Sequence, residues 1–136
     1  MPEKILIVDD HEVLRRSIRS LLSSRPAWKI CGEAIDGLDA IEKAKALAPD
    51  VVLMDVSMPR MDGIEATRIL RRELPECKVV IVSQNDPAIV NVQVKEVKAD
   101  GYVAKSELFA KQAVYQATDL AAFTMEFSVP FELCRS

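Results

Sequence analysis

The stretch that decides the fold is Ile5-Leu6-Ile7-Val8-Asp9-Asp10, an apolar run of strand length that ends in two carboxylates. Three similar runs end in a polar residue: residues 51–54 precede Asp55, residues 79–82 precede Ser83, and residues 102–104 precede Lys105. Uninterrupted apolar strands are typical of a parallel sheet covered by helices on both faces. Since the carboxyl ends of parallel strands share one edge, we expect these polar side chains to meet in one crevice.

Segments with helical periodicity separate the apolar runs. Strands are predicted at 4–9, 28–33, 50–55, 78–83 and 101–104, and helices at 11–23, from Asp36 to Pro49, from Gly63 to Pro75, from Asp86-Pro87 onward, and at 106–121. The alternation predicts an α/β fold, a flavodoxin-like doubly wound (βα)5 sandwich with a parallel five-stranded sheet. Of the two common doubly wound orders, 2-1-3-4-5 places strands 1 and 3 side by side, so that Asp9, Asp10 and Asp55 become neighbours.

The helices carry more specific expectations. Asp36 is expected to cap the second helix, and the residues predicted on its apolar side are Leu38, Ile41, Ala44, Leu47 and Ala48. In the third helix, Arg68, Arg71 and Arg72 are predicted to face mostly outward.

Size and composition indicate one domain. The chain has 136 residues, 49% of them hydrophobic, which suffices for one core. A net charge of −3 gives no electrostatic case for direct nucleic-acid binding by this segment. No run approaches the roughly 20 apolar residues of a membrane span and no leader is evident, so a cytoplasmic protein that does not contact the membrane is expected.

The C-terminal segment is treated separately. We assign residues 1–121 to the domain and residues 122–136 to an extension. Apolar residues occupy every odd position from 123 to 133, which predicts a half-buried strand that either docks on its own domain or joins a second chain. A loose chain end is the alternative.

Three carboxylates in one crevice raise one another's pKa unless a positive charge lies among them. Mg²⁺ prefers octahedral oxygen ligands and suits such a crevice. Helix capping by Asp9 and Asp10 is the alternative, but it uses one side chain and leaves Asp55 unexplained.

Four motifs in order resemble the receiver domain of two-component response regulators over about residues 3–108. They are Asp9-Asp10, the segment 55–63 with Met58-Pro59-x-Met61-Asp62-Gly63, Ser83, and Asp100-Gly101-Tyr102-x-x-Lys105. The resemblance extends to chemotaxis regulators, and residues 9–11 and 101–106 most resemble regulators with a helix-turn-helix output domain.

The resemblance implies that Asp55 accepts a phosphoryl group from a sensor histidine kinase, a phosphotransfer protein or a small phosphodonor. It implies that Mg²⁺ is held by Asp10, Asp55 and the main-chain carbonyl of Ser57, with Asp9 acting through water. Such a chain is an acceptor rather than an enzyme, with at most slow self-dephosphorylation.

The remaining implied roles concern switching. Ser83 would bind the phosphoryl group, Lys105 would neutralise it, and Tyr102 would follow Ser83 inward. Ser57 and Asn85 occupy the positions that tune phosphoryl lifetime in this family. A homodimer is a further expectation.

Several residues depart from the family pattern. Gln84 stands where a small residue is usual, and Lys98 replaces a glycine, which would impose a left-handed backbone penalty on lysine. His11, the one histidine of the chain, is expected in the first helical turn at the rim of the crevice rather than as a phosphodonor.

Two alternative functions are considered. A pseudo-receiver would keep the fold as an interaction or dimerisation module without phosphorylation. A Mg²⁺-dependent phosphohydrolase would need a second carboxylate two residues after Asp55, where the sequence has Ser57. The phospho-accepting chain is expected to be either a complete regulator or a receiver cut from a longer DNA-binding protein.

Overall fold

A computed structural model describes residues 3–23, 26–83 and 95–105. The elements are β1 (Glu3–Val8), α1 (Glu12–Ser23), β2 (Trp28–Ala34), α2 (Gly37–Leu47), β3 (Val51–Asp55), α3 (Gly63–Glu73), β4 (Lys78–Ser83) and β5 (Gly101–Ala104). The predicted fifth helix, most of the fourth, and the extension at 122–136 lie outside the described residues. Within the described ranges, no helix combines the length and apolar character that a membrane span requires.

The sheet has five parallel strands in the order β2-β1-β3-β4-β5, as predicted. Strands β1 and β3 are neighbours, with Val8 opposite Met54, so the residues that follow both strands emerge side by side. At the other end of the carboxyl edge, Ser83 of β4 pairs with Ala104 of β5. The order therefore gathers the four polar strand ends, as the sequence predicted.

Alternate side chains of the strands build two cores, one on each face of the sheet. The core on the α1 side includes Ile5, Ile7, Leu22, Leu53 and Val82. The core on the side of α2 and α3 includes Leu6, Val8, Ala44, Met54 and Leu70. Burial on both faces explains why the apolar runs of β1, β3 and β4 are continuous rather than alternating.

Helix α2 confirms its predicted cap and corrects its predicted face. Asp36 accepts the backbone N–H of Asp39 at 2.8 Å. Leu38, predicted inward, is 50% exposed, while Gly37, Ala40 and Ala44 are buried. Ala40 and Ala44 lie in the core between α2 and the sheet, and Ile41 and Leu47 pack against it, so Leu38 lies on the solvent side of the helix.

Two aspartates close the amino edge of the sheet, opposite the crevice. Asp50 accepts the N–H of Lys4 at 2.7 Å, and Asp100 accepts the N–H of Val79 at 2.8 Å. Arg71, predicted to face outward, is half-buried and donates to Asp100 at 3.1 Å. Asp100 thus contributes to the recognised motif by fixing the start of β5, not by entering the crevice.

Lys98 adopts the left-handed backbone expected from its position, with φ 58°. We predict that Lys98→Gly raises the free energy of unfolding by about 0.5–1 kcal/mol, because glycine removes the steric penalty but adds unfolded-chain entropy. Urea unfolding followed by the fluorescence of the buried Trp28 measures the change. Lys95→Gly, in the helical turn just before it, should destabilise instead, and a loss of stability in Lys98→Gly would contradict the argument.

Candidate functional site

Asp9 lies at the carboxyl end of β1 and is 1% exposed. Its Oδ1 accepts the main-chain N–H of His11 at 2.8 Å, which opens the first turn of α1. Asp10, the next residue, faces solvent more freely, with 28% of its side chain exposed. The two carboxylates of the pair therefore differ in setting: one is fixed and buried, and the other lines the mouth of the crevice.

Lys105 joins the ends of three strands. Its ammonium lies 2.8 Å from Asp55 Oδ1 and 3.1 Å from Asp9 Oδ2, and its side chain is 8% exposed. Asp9 and Asp55 follow or end the adjacent strands β1 and β3, whereas Lys105 follows β5 at the edge of the sheet. The long lysine side chain is what allows a residue on β5 to reach across β4 to both carboxylates.

The pKa values of this pair follow from burial and charge. Burial raises the pKa of Asp55, and Asp9 and Asp10 raise it further, while the hydrogen bond from Lys105 opposes the rise. Burial alone would lower the pKa of Lys105, but its hydrogen bond to Asp55 and the nearby charges of Asp55 and Asp9 raise it overall. Lys105 is therefore a firmly held ammonium beside a carboxylate that is costly to ionise.

Ser83 and the β3–α3 loop complete the rim. Ser83 is buried at 2% exposure at the end of β4, next to the β5 residue that precedes Lys105. Ser57 is exposed at the start of the loop that follows Asp55. The loop folds tightly back, since the N–H of Gly63 donates to the carbonyl of Val56 at 2.8 Å.

Three residues of the prediction are described only in part or not at all. Tyr102 lies in β5, paired with Ile81 of β4, but its side chain lies outside the described part of the structure. Asn85 and Gln84 lie outside the described residues altogether. The expectations for these three side chains stay predictions.

Arg15 holds the acidic pair in place, a role that the sequence did not predict. One guanidinium N–H donates to the main-chain carbonyl of Asp9 at 2.6 Å, and another donates to Glu33 of β2 at 3.0 Å. Burial alone would raise the pKa of Glu33, but hydrogen bonds from Arg19 and Arg15 hold it below its usual range. The sequence gives no local signal for this contact, because Glu33 lies 18 residues from Arg15.

We predict that Arg15→Gln lowers the free energy of unfolding by about 2–3 kcal/mol, because the Asp9 carbonyl and the Glu33 carboxylate lose charge-assisted hydrogen bonds. Arg16→Gln is the matched control, since Arg16 is exposed and pairs with the exposed Glu12. The control should change stability by less than about 0.5 kcal/mol. Equal urea midpoints for the two variants would contradict the assignment.

Asp36 and Arg60 attach the β3–α3 loop to the start of α2. Arg60 donates from Nε to Asp36 Oδ2 at 2.7 Å, and its Nη2 contacts the same oxygen. The N–H of Gly37 donates to the carbonyl of Met61 at 3.0 Å in the same region. The contact between Asp36 and Arg60 could not be predicted from the sequence. The sequence identified Asp36 as a helix cap but gave no sign of its arginine partner.

The pKa of Asp36 lies below its usual range, first because the backbone N–H of Asp39 donates to it and then because of Arg60. Such a carboxylate stabilises the fold above its unfolded pKa of about 3.9, and the contribution disappears as pH falls through the lower folded value. We therefore predict that wild-type protein is more stable than Asp36→Asn at pH 6 by about 1–3 kcal/mol.

That difference should shrink as the pH is lowered below about 4. Urea unfolding at several pH values measures this stability difference. Asp62→Asn, the same substitution at the exposed cap of α3, is the comparison variant. A wild-type advantage that stays constant into the acid range would contradict the role of the Asp36 charge.

The donor chemistry of the crevice suits a divalent cation. Lys105 supplies one positive charge against Asp9, Asp10 and Asp55, and the first two carboxylates raise the pKa of the third. Within the described ranges, the ligand atoms of Asp9, Asp10 and His11 all lie within 4.8 Å of one another. A cation there would relieve the excess negative charge, which agrees with the predicted Mg²⁺ requirement. His11 lies at the rim, 70% exposed, as expected.

Comparison with known proteins identifies the family. The profile of the response regulator receiver domain matches residues 5–118. The response regulator GacA of Pseudomonas aeruginosa is 40% identical over 102 residues, which cover 75% of this chain and 48% of GacA. The response regulator protein VraR of Staphylococcus saprophyticus is 49% identical over 83 residues, which cover 61% of this chain and 40% of VraR. The chain thus spans less than half the length of these relatives.

Solved structures agree in fold. The response regulator domain of Thermotoga maritima CheB superposes with a TM-score of 0.79 at 27% identity, covering 93% of this chain and 96% of that domain. The signal receiver domain of the putative response regulator NarL from Mycobacterium tuberculosis gives a TM-score of 0.73 at 31% identity, covering 83% of this chain and 93% of that domain. With its crevice of aspartates and lysine at the carboxyl edge of a 2-1-3-4-5 sheet, the chain belongs to the response regulator receiver domain family.

Proposed function

We propose that this receiver domain is a phosphorylation switch whose acceptor is Asp55. The observation that carries the proposal is the buried ammonium of Lys105, 2.8 Å from Asp55 and 3.1 Å from Asp9. A buried lysine at this place costs free energy unless it is paired. The Lys105 ammonium would neutralise a phosphoryl group on Asp55, the carboxylate that it contacts in this structure.

In the proposed reaction, an Asp55 carboxylate oxygen attacks the phosphorus of a phosphohistidine or a small acyl phosphate. The new O–P bond gives an acyl phosphate on Asp55, and the bond from phosphorus to the donor nitrogen or oxygen breaks, with its electron pair leaving on the donor. Mg²⁺, held by Asp10, Asp55 and the Ser57 carbonyl with Asp9 acting through water, would neutralise the phosphoryl oxygens. Lys105 then transfers its contact from the carboxylate to a phosphoryl oxygen.

Ser83 would read out the change. Ser83 ends β4, between β3 and β5, and its hydroxyl would donate to a phosphoryl oxygen on Asp55 at the end of the neighbouring strand β3. We propose that Ser83 and Tyr102 move together in this step. Ser57 and Asn85 would tune the lifetime of the acyl phosphate by controlling access of water, and slow self-dephosphorylation would be the extent of any enzymatic activity.

The proposed partners are a sensor histidine kinase or a phosphotransfer protein. Val13, 74% exposed, and the exposed Arg16 lie on α1 close to the acidic pair, where a partner presenting its phosphohistidine would make contact. Arg15 and Arg19 are less available, because both are tied to Glu33. We further propose a cytoplasmic protein that acts through partner proteins, including a second copy of the chain, or through an output domain like those of longer transcriptional regulators.

The pseudo-receiver is the second candidate, and the site argues against it. A domain that served only for interaction would gain nothing from burying Asp9, Asp55 and Lys105 together, since an apolar cluster of similar volume is as stable or more stable. The three charged side chains are 1%, 4% and 7% exposed as residues. Their retention is better explained by chemistry than by stability.

The test is to incubate the protein with acetyl phosphate and Mg²⁺ and to measure its intact mass. We expect a gain of one phosphoryl group that is absent in Asp55→Asn and in the presence of EDTA. Absence of the gain with acetyl phosphate, with phosphoramidate and with a phosphorylated sensor kinase would contradict the proposal and favour the pseudo-receiver.

A further inference from the structure

The loop that follows the acceptor carboxylate contains a backbone conformation that arginine rarely adopts. Arg60 has a φ of 65°, in the left-handed region. An L side chain there crowds the backbone and costs free energy that glycine would avoid. Strained residues of this kind persist only where the surrounding structure holds them, and they cluster at functional sites. The contacts of Arg60 therefore indicate what this strain maintains.

The side chain of Arg60 contacts a buried carboxylate that the proposed reaction does not use. The side chain of Asp36 is 1% exposed, whereas that of Arg60 is 61% exposed. Both Nε, at 2.7 Å, and Nη2 of the guanidinium contact the same oxygen, Oδ2, while Oδ1 of Asp36 accepts the N–H of Asp39. One oxygen of Asp36 thus belongs to the cap of α2, and the other holds the loop.

Backbone contacts attach the loop at the same place. The N–H of Gly37, the first residue of α2, donates to the carbonyl of Met61 at 3.0 Å. A Cβ on Gly37 would lie 2.6 Å from that carbonyl oxygen and 2.7 Å from Met61 Cγ, so the start of α2 lies directly against the loop. At the base of the loop, Gly63 donates to the carbonyl of Val56 at 2.8 Å. The loop is therefore held at its base by its own ends and on one side by α2.

Ser57 lies in the chain between these two attachments, after Val56 and before Arg60. Its main-chain carbonyl is the loop ligand of Mg²⁺ in the proposed function. Mg²⁺ demands near-ideal octahedral geometry, and the contacts behind a metal ligand typically set metal affinity by about ten- to a hundredfold. The attachments of the loop therefore bear on how well this carbonyl binds the cation.

We propose that Arg60 is a positioning residue of the metal site. Through its contact with Asp36, Arg60 holds the loop that carries the Ser57 carbonyl in the conformation that binds Mg²⁺. This inference rests on the proposed function, because it concerns the cation of the same crevice. It assigns a role to a buried carboxylate and a strained arginine that phosphoryl transfer itself does not involve.

The sign of the effect separates positioning from electrostatics. Arg60 carries a positive charge, and removal of that charge alone would favour a nearby cation or leave its binding unchanged. If Arg60 positions the loop, its removal instead weakens Mg²⁺ binding, because the loop must then be ordered when the cation binds. The two explanations thus predict opposite changes in Mg²⁺ affinity.

Titration with Mg²⁺, followed by the amide resonances, tests this role without requiring phosphorylation and shows that each variant is folded. We expect the dissociation constant to rise about tenfold in Arg60→Gln and in Asp36→Asn, at the lower end of losses caused by changes behind a metal ligand. Arg60→Lys should stay close to the wild type, because one ammonium can replace two N–H groups that share one oxygen. Arg72→Gln, which removes the same charge from an exposed side chain of α3, is the matched control and should bind Mg²⁺ like the wild type.

Arg60→Gly distinguishes positioning from a general contribution to stability. Glycine removes the left-handed penalty as well as the contact, so this variant should recover part of the stability that Arg60→Gln loses. Its Mg²⁺ affinity should not recover, since the contact with Asp36 is still missing. Urea unfolding beside the Mg²⁺ titration measures both quantities.

Two results would overturn the inference. One is a Mg²⁺ affinity in Arg60→Gln and Asp36→Asn that equals or exceeds that of the wild type, and the other is an affinity that recovers in Arg60→Gly together with stability. In either case the wild type would still bind Mg²⁺ and Asp55 would still be labelled by acetyl phosphate. Failure of the proposed function would instead appear as no labelling of the wild type at any Mg²⁺ concentration.

Discussion

Lys105→Met is expected to slow phosphorylation of Asp55 by acetyl phosphate by about 100- to 1,000-fold, the usual loss when one preorganised charge or donor is removed from a transition state. The ammonium lies 2.8 Å from the acceptor carboxylate, so its removal leaves the transferring oxygens with one positive group fewer. Methionine keeps most of the length of the side chain and therefore tests the charge rather than the volume.

Lys105→Met is also expected to lower the stability of the fold. Asp9 and Asp55 are buried and both face this ammonium, and breaking a buried pair by removing one partner costs about 3–5 kcal/mol. Protonation of Asp55, whose pKa is already raised by burial, would reduce that cost. Labelling should therefore be measured by intact mass at pH 7 on protein shown to be folded by circular dichroism.

Lys78→Met is the matched control, because Lys78 is exposed at the amino end of β4. We expect Asp55 of Lys78→Met to be phosphorylated at the wild-type rate. If folded Lys105→Met also labelled at the wild-type rate, Lys105 would have no part in phosphoryl transfer and the observation that carries the proposal would be lost.

Gly63→Ala is expected to lower the free energy of unfolding by about 3 kcal/mol or to prevent folding, at the upper end of overpacking effects. A Cβ at this position would lie 1.9 Å from the carbonyl oxygen of Asp55 and 2.9 Å from Met54 Cγ. Backbone cannot yield as a flexible side chain can, so α3 or the end of β3 would have to move. Since Asp55 ends β3, the acceptor would move with it.

Gly32→Ala provides the comparison. There a Cβ would lie 2.8 Å from Leu47 Cδ1, the end of a side chain that can change its rotamer. Urea unfolding of both variants, followed by Trp28 fluorescence, should show a clearly larger loss for Gly63→Ala. Equal losses would mean that the close approach of α3 to Asp55 is not what requires glycine at position 63.

The sequence predicted most of the sheet because four of its five strands carry a continuous apolar run that leads directly to a polar residue, β2 being the exception. Once the strand order was inferred, the carboxyl edge had to collect Asp9, Asp10, Asp55, Ser83 and Lys105, and the structure places all five there. The cap at Asp36 was also predictable, since capping is a local property of three or four residues.

The sequence could not predict contacts that depend on how elements pack. Arg15 with Glu33, Arg60 with Asp36 and Arg71 with Asp100 join residues that are 18, 24 and 29 positions apart. Helical spacing alone predicted an outward-facing side chain for Arg71, and it gave no sign of the partners of Arg15 and Arg60. The prediction for Leu38 was wrong in the opposite direction: it was expected to be buried, but the core contacts of α2 come from Ala40, Ala44, Ile41 and Leu47, and Leu38 is 50% exposed.

Reductive trapping tests the central claim, phosphorylation of Asp55, most directly. Borohydride reduces an acyl phosphate to an alcohol, so a phosphorylated aspartate becomes homoserine, which peptide mass spectrometry can locate. After treatment with acetyl phosphate and Mg²⁺, the account predicts homoserine at position 55 and nowhere else, and none when EDTA is present. Homoserine at position 9, 10 or 62 with none at 55 would contradict it.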